Sequence, residues 1–93
     1  MPNSSTGQVA IKFGIEGPSL TITTACAASA NALGEAKNMI QNGIVDMVIA
    51  GGTESGTTAM TIGAFAQIRA LSTNNENPQK ACRPFDKDRD GFV

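Results

Sequence analysis

Residues 20–52 read LTITTACAASANALGEAKNMIQNGIVDMVIAGG, and the changes of period inside this stretch decide the fold class. The opening run LTITT, 20–24, is short and β-branched, which predicts a strand. From Cys26 to Asn42 the period changes. Ala30, Leu33, Ala36 and Ile40 recur at helical spacing, while Asn31, Glu35, Asn38 and Gln41 lie towards another side. Gly43 follows as a C-terminal cap. VDMVIAGG, 45–52, is nearly continuous in apolar residues, as expected of a strand covered on both faces. Strand, helix and strand within about 30 residues make a βαβ crossover, right-handed by the general rule.

Working outward, the flanks keep this α/β grammar. Residues 4–13 predict a short helix with Val9, Ala10 and Phe13 on one side, broken by the two glycines and the proline of FGIEGPS. A further helix is expected from Thr58 to Leu71, carrying Met60, Phe65 and Ile68. The remainder, STNNENPQKACRPFDKDRDGFV, is polar and rich in turn residues until GFV, where a strand begins.

Composition limits what such a chain can be. With 93 residues, 41% of them hydrophobic and only four aromatic, one small domain is the ceiling, and a self-sufficient core is marginal. The net charge of -1 gives no field to attract nucleic acid or an anionic membrane. No membrane span and no basic leader followed by an apolar stretch is visible, so a soluble, cytoplasmic protein is expected. Cys26 and Cys82, in a chain without histidine, predict reduced thiols and no metal site.

Cys26 falls where strand becomes helix. The first helical turn has backbone N–H groups without intrahelical partners, and the positive end of a helix dipole favours a thiolate, the nucleophilic form of cysteine. Small Ala25 and Ala27 relieve crowding at so tight a turn, in the manner of a nucleophile elbow, although TACAA is not the serine-hydrolase pattern. The same position equally suits a small buried hydrophobe at a strand end. Cys82, among polar neighbours, reads as an incidental thiol.

The stretches GPSLTITTACAASANALGEAKNMIQNGIVDMVIAGGTE and ALSTNNENPQKACRPFDKDRDGFV, in this order and spacing, resemble the β-ketoacyl-acyl carrier protein synthases. The nearest resemblance is to the type II elongating enzymes of fatty acid synthesis, with polyketide ketosynthases next, and it covers nearly the whole chain. It implies a partial thiolase-like fold: a central slice of the N-terminal half of a layered αβαβα architecture, with the βαβ unit at its centre. Residues 1–93 would then be a fragment of the N-terminal ketoacyl synthase domain, with no complete domain present. In this family the cysteine after TA accepts the acyl chain as a thioester, and Cys26 occupies that place.

The resemblance implies more. The reaction is acyl transfer followed by decarboxylative Claisen condensation with malonyl-acyl carrier protein. No cofactor is bound, because substrates arrive on the phosphopantetheine of acyl carrier protein. That carrier is the implied partner, and the family is usually a homodimer. Phe65 matches a position lining the acyl pocket, and Thr61 lies where side-chain size helps limit acyl length. Glu54, in AGGTE, belongs to a motif near the active centre and is expected to have a structural hydrogen-bonding role. AGGTE lacks the lysine and spacing of a phosphate loop. The family's two histidines and a lysine belong to its later half, so this chain alone is expected to be inactive. A degradative thiolase would lack RPFDKDRDGFV. A non-catalytic thiolase-fold partner, the remaining alternative, would lack the cysteine but fits the absence of histidine.

Overall fold

The computed structural model describes all residues, 1–93, and its regular structure is helical. Helix α1 spans Ser4–Phe13, α2 Ala28–Gln41 and α3 Ala59–Gln67, with single 3-10 turns at Ala25–Ala27 and Pro78–Lys80. The chain divides into two units, Met1–Thr53 and Glu54–Val93. No helix is long and apolar enough to cross a membrane.

In the first unit α1 occupies the residues that its sequence predicts. It ends on Gly14 at φ 62°, where the N–H groups of Gly14 and Ile15 return to the carbonyls of Ile11 and Ala10 at 3.4 and 2.9 Å. Helix α2 closes in the same way. Gly43 stands at φ 66°, its N–H reaches Ile40 O at 3.0 Å, and the N–H of Ile44 reaches Met39 O at 2.9 Å. This is a Schellman closure, which uses a left-handed residue to satisfy the last carbonyls of the helix. Of the apolar stripe expected on α2, only Ala36 is buried. Its buried neighbour is Met39, whereas Leu33 and Ile40 are exposed.

The βαβ unit is where the structure departs from expectation. Its helix forms, but neither 20–24 nor 45–52 belongs to a strand ladder, and the two segments do not pair with each other. The reason lies in what a strand is. An α-helix closes its hydrogen bonds within a few residues, whereas a strand needs a neighbour that can be far away in sequence, and an interior strand needs two. No segment among residues 1–93 supplies them. What holds 20–24 instead is a pair of side-chain bonds. The Thr6 and Thr21 hydroxyls lie 3.3 Å apart, and Asn31 Nδ2 donates to Thr24 Oγ1 at 2.6 Å. The apolar side chains of 45–52 lack the two-sided cover expected of them, with Met47 80% and Ile49 64% exposed.

In the second unit α3 starts on Thr58, which has extended backbone and accepts the Thr61 N–H on Oγ1 at 3.3 Å, a standard N-cap. The helix stops at Gln67, short of the expected Leu71. Arg69 turns left-handed at φ 57°, and the N–H groups of Arg69 and Ala70 return to Ala66 and Phe65 at 2.9 and 3.0 Å. The backbone beyond is committed elsewhere. Phe92 donates to Ala70 O and accepts from Ser72 N–H, both at 2.8 Å, making an isolated parallel bridge between Leu71 and Phe92. The strand expected at GFV is therefore present as that one bridge.

Asp90 pins the bridge. Its carboxylate accepts the Ser72 hydroxyl at 2.7 Å and the Thr73 N–H at 3.1 Å. The residue between, Gly91, has φ 149° and so little room that a Cβ would lie 2.5 Å from Ala70 O. Glycine is required there on both counts. Upstream, RPFDKDR pairs with itself. Arg83 bonds Asp86 at 3.2 Å, Asp86 accepts the Asp88 N–H at 2.8 Å, and the Arg89 guanidinium donates to the Asp86 carbonyl at 2.8 Å. Alternating charge thus builds an ordered loop.

Candidate active site

Cys26 lies in the middle of the 3-10 turn Ala25–Ala27, which runs directly into α2. The entry is tight. Thr24 has φ -129° and ψ 42°, and Ala25 sits at φ 49°, a left-handed conformation that an alanine adopts only against steric resistance. The Ala27 N–H bonds Thr24 O at 3.1 Å, and the Ala28 N–H bonds Ala25 O. These two 3-10 bonds leave the N–H of Cys26 outside them. The thiol is free and exposed. Cys26 is thus two residues ahead of the α-helix, on a turn bent by its predecessor, and it is not a buried hydrophobe in this structure.

The AGG motif comes to the same turn. A Cβ built at Gly52 would collide with the side chain of Ser29, in the first turn of α2, and would lie 3.0 Å from Ser29 Cβ. Gly52 therefore serves close approach to the helix start that follows Cys26.

Thr61 and Phe65 are one turn apart on α3, in the second unit. Thr61 is half-buried, and its hydroxyl lies 3.0 Å from that of the capping Thr58. Phe65 is 38% exposed and meets Phe92 edge-on, with ring centroids 5.4 Å apart at 77°. Such a pair adds about 0.5–1.5 kcal/mol beyond the area it buries. Phe65 thus has a packing partner while keeping part of its ring open.

A hollow of about 510 Å³ in the second unit is lined by Cys82, Arg83, Arg89 and Phe92 among others, and by neither Thr61 nor Phe65. Arg83 and Arg89 both spend donors on Asp86, and Cys82 is an exposed free thiol. No group of three His, Cys, Asp or Glu residues is placed to hold a metal ion.

Two features of the Cys26 turn were not read from sequence. One is the left-handed Ala25, which no glycine advertises; the only trace is the run of small residues around the cysteine. The other is Asn31, which appeared only as part of a polar helix side, yet it bonds back across the turn to Thr24.

Comparison with known proteins bears on this geometry. The chain is 50% identical over 91 residues to 3-oxoacyl-[acyl-carrier-protein] synthase 2 of Coxiella burnetii, covering 98% of this chain and 22% of that protein. It is 50% identical over 92 residues to the mitochondrial 3-oxoacyl-[acyl-carrier-protein] synthase of Arabidopsis thaliana, covering 98% of this chain and 20% of that one. The chain therefore spans about a fifth of the length of these curated relatives. Among solved structures it is similar to a chain from a type II PKS acyl-carrier protein in complex with its ketosynthase bound to the hexaketide. There the TM-score is 0.87 at 40% identity, over 98% of this chain and 22% of that one. This likeness supports a thiolase-like fold for the chain. The family model described as "Beta-ketoacyl synthase, N-terminal domain" matches residues 1–93 from end to end, and the chain belongs to the β-ketoacyl synthase family.

Proposed function

We propose that residues 1–93 are the nucleophile-bearing part of the N-terminal domain of a β-ketoacyl-acyl carrier protein synthase that elongates fatty acids. The observation that carries the reading is the exposed Cys26 thiol on a strained turn leading into α2, in a chain 50% identical to 3-oxoacyl-[acyl-carrier-protein] synthase 2. In the first half-reaction the Cys26 thiolate attacks the thioester carbonyl of an acyl chain held on the carrier's phosphopantetheine. The tetrahedral intermediate collapses to an acyl-Cys26 thioester, and the pantetheine leaves as a thiolate that takes a proton from solvent. The backbone N–H of Cys26, outside the 3-10 bonds of its turn, is proposed as one donor to that developing oxyanion. In the second half-reaction malonyl-carrier protein loses carbon dioxide, its carbanion attacks the acyl-Cys26 carbonyl, and Cys26 is released as thiolate.

Condensation asks for groups beyond this segment. Residues 1–93 contain no histidine to assist decarboxylation, so the segment, even when acylated, does not condense alone. Acyl carrier protein is the proposed partner, and substrate enters on its phosphopantetheine without a further cofactor. Thr61 and Phe65 are proposed to face the acyl chain. A second reading, a polyketide ketosynthase, is favoured by the 0.87 TM-score to a ketosynthase chain bound to a hexaketide. The higher identity to the 3-oxoacyl synthases keeps it second.

The test uses a complete chain, made by exchanging residues 1–93 into the Coxiella burnetii synthase in place of the matching segment. Incubated with acyl-carrier protein, it should carry one acyl group on Cys26, located by mass spectrometry. Cys26→Ala should abolish the adduct and Cys82→Ala should leave it nearly intact. An acyl group on Cys82 would refute the assignment. Chain-length profiling with acyl-carrier and polyketide-type donors separates the two readings.

A further inference from the structure

Ala25, directly before Cys26, is held at φ 49°. A residue with a side chain keeps such a conformation only where its surroundings impose it. Two of the bonds at this turn, Ala27 N–H to Thr24 O and Ala28 N–H to Ala25 O, belong to the turn itself. They would re-form around many backbone directions. The third is different. Asn31 Nδ2 donates to Thr24 Oγ1 at 2.6 Å, tying the residue before the strained alanine to the second turn of α2. This bond makes the direction of the chain at 24–26 depend on the helix.

We propose that Asn31 is a positioning residue: through the Thr24 hydroxyl it fixes the backbone at Ala25 and thereby the direction in which the Cys26 thiol is presented. The inference rests on Cys26 being the nucleophile. Asn31 touches no reacting atom, and its effect is on geometry. Attack on a thioester needs the sulfur along one approach to the carbonyl, and misplacement by about 1 Å is enough to slow such a step roughly 100-fold. Binding of the acyl donor, made by other residues, does not depend on that direction.

The experiment uses the complete exchanged chain described above. Asn31→Leu removes the donor while keeping the number and branching of the side-chain heavy atoms, and Thr24→Val removes its acceptor. Each should lower the maximal rate of acyl transfer to Cys26 about tenfold or more, while KM for the acyl donor and the unfolding temperature stay near the parent's. The double variant should be no slower than either single one, because both break the same bond. Asn31→Asp should recover much of the rate, since the Thr24 hydroxyl can turn to donate to the carboxylate. It should do so with KM and the unfolding temperature still near the parent's. A merely structural Asn31 would lower the unfolding temperature, and Asn31→Asp would then lose as much of the rate as Asn31→Leu. An acyl adduct on Cys26 with undiminished rate in Asn31→Leu would overturn the proposal alone, as would losses that multiply in the double variant. Absence of any Cys26 adduct in the parent would overturn the nucleophile reading and this proposal with it.

Discussion

Gly52 shows how much a single missing methyl can matter. A Cβ there meets both Ser29 Oγ and Ser29 Cβ. The hydroxyl can rotate away, but the Cβ, at 3.0 Å, cannot. Gly52→Ala should therefore cost about 1 kcal/mol in a complete chain, at the lower end of overpacking penalties, and disturb the helix start behind Cys26. Thermal unfolding should show the loss, and Ser29→Gly in the same chain should remove the packing conflict. Thr61 offers a second test at this scale. Thr61→Met adds volume on the helix face proposed to meet the acyl chain, and should shorten the preferred substrate. Because the change also deletes the hydroxyl that faces Thr58 at 3.0 Å, Thr61→Val is the control: it drops the hydroxyl at similar volume. The expected outcome is a shortened chain-length profile for Met and an unchanged one for Val. An unaltered profile in both would remove Thr61 from the pocket.

Among the elements, the bridge that ends α3 is the one with a clear pH dependence. The Asp90 carboxyl is held below its ordinary value, first by the Ser72 hydroxyl and then by the Thr73 N–H, with desolvation opposing. Asp86 is also held low, chiefly by the Asp88 N–H and, against desolvation, by Arg83. The sign follows directly. A carboxyl whose folded pKa lies below its unfolded pKa stabilises the fold fully above the unfolded value, and that contribution is lost as pH falls through the folded one. The Leu71–Phe92 bridge should therefore loosen below about pH 4, where carboxylates ordinarily protonate. Amide exchange at Ser72, Thr73 and Phe92, followed from neutral pH downward, should accelerate beyond its intrinsic trend in that window. Asp90→Asn should be fast already at neutral pH and lose the dependence. An unchanged exchange profile in Asp90→Asn would show that the carboxylate does not hold the bridge.

For the molecule as a whole, exposed apolar side chains decide behaviour. Only Ala36, Met39 and Ala81 are buried, while Ile44, Met47, Ile49 and Met60 lie open. Unpaired backbone at 45–52 adds donors and acceptors ready to pair with another copy. Expressed alone, the 93-residue polypeptide should self-associate and lack a sharp unfolding transition. Sedimentation and thermal melting measure both, and a dispersed monomer with a cooperative melt would contradict the expectation.

The features legible in the sequence are those that depend on near neighbours. Helix α1, the body of α2 and the start of α3 are written in local spacing and in Gly43 as a stop, because helical hydrogen bonds close within four residues. Cys26 at a helix entry was readable for the same reason. Tertiary structure decided the rest. Whether 20–24 and 45–52 become strands depends on partners that their own residues do not encode. The early end of α3 follows from Phe92 claiming the backbone of Ala70 and Ser72. The left-handed Ala25, the bond from Asn31 to Thr24 and the collision that reserves position 52 for glycine all arise where separated segments meet. No local propensity carries that information, because the energy of each contact belongs to the pair.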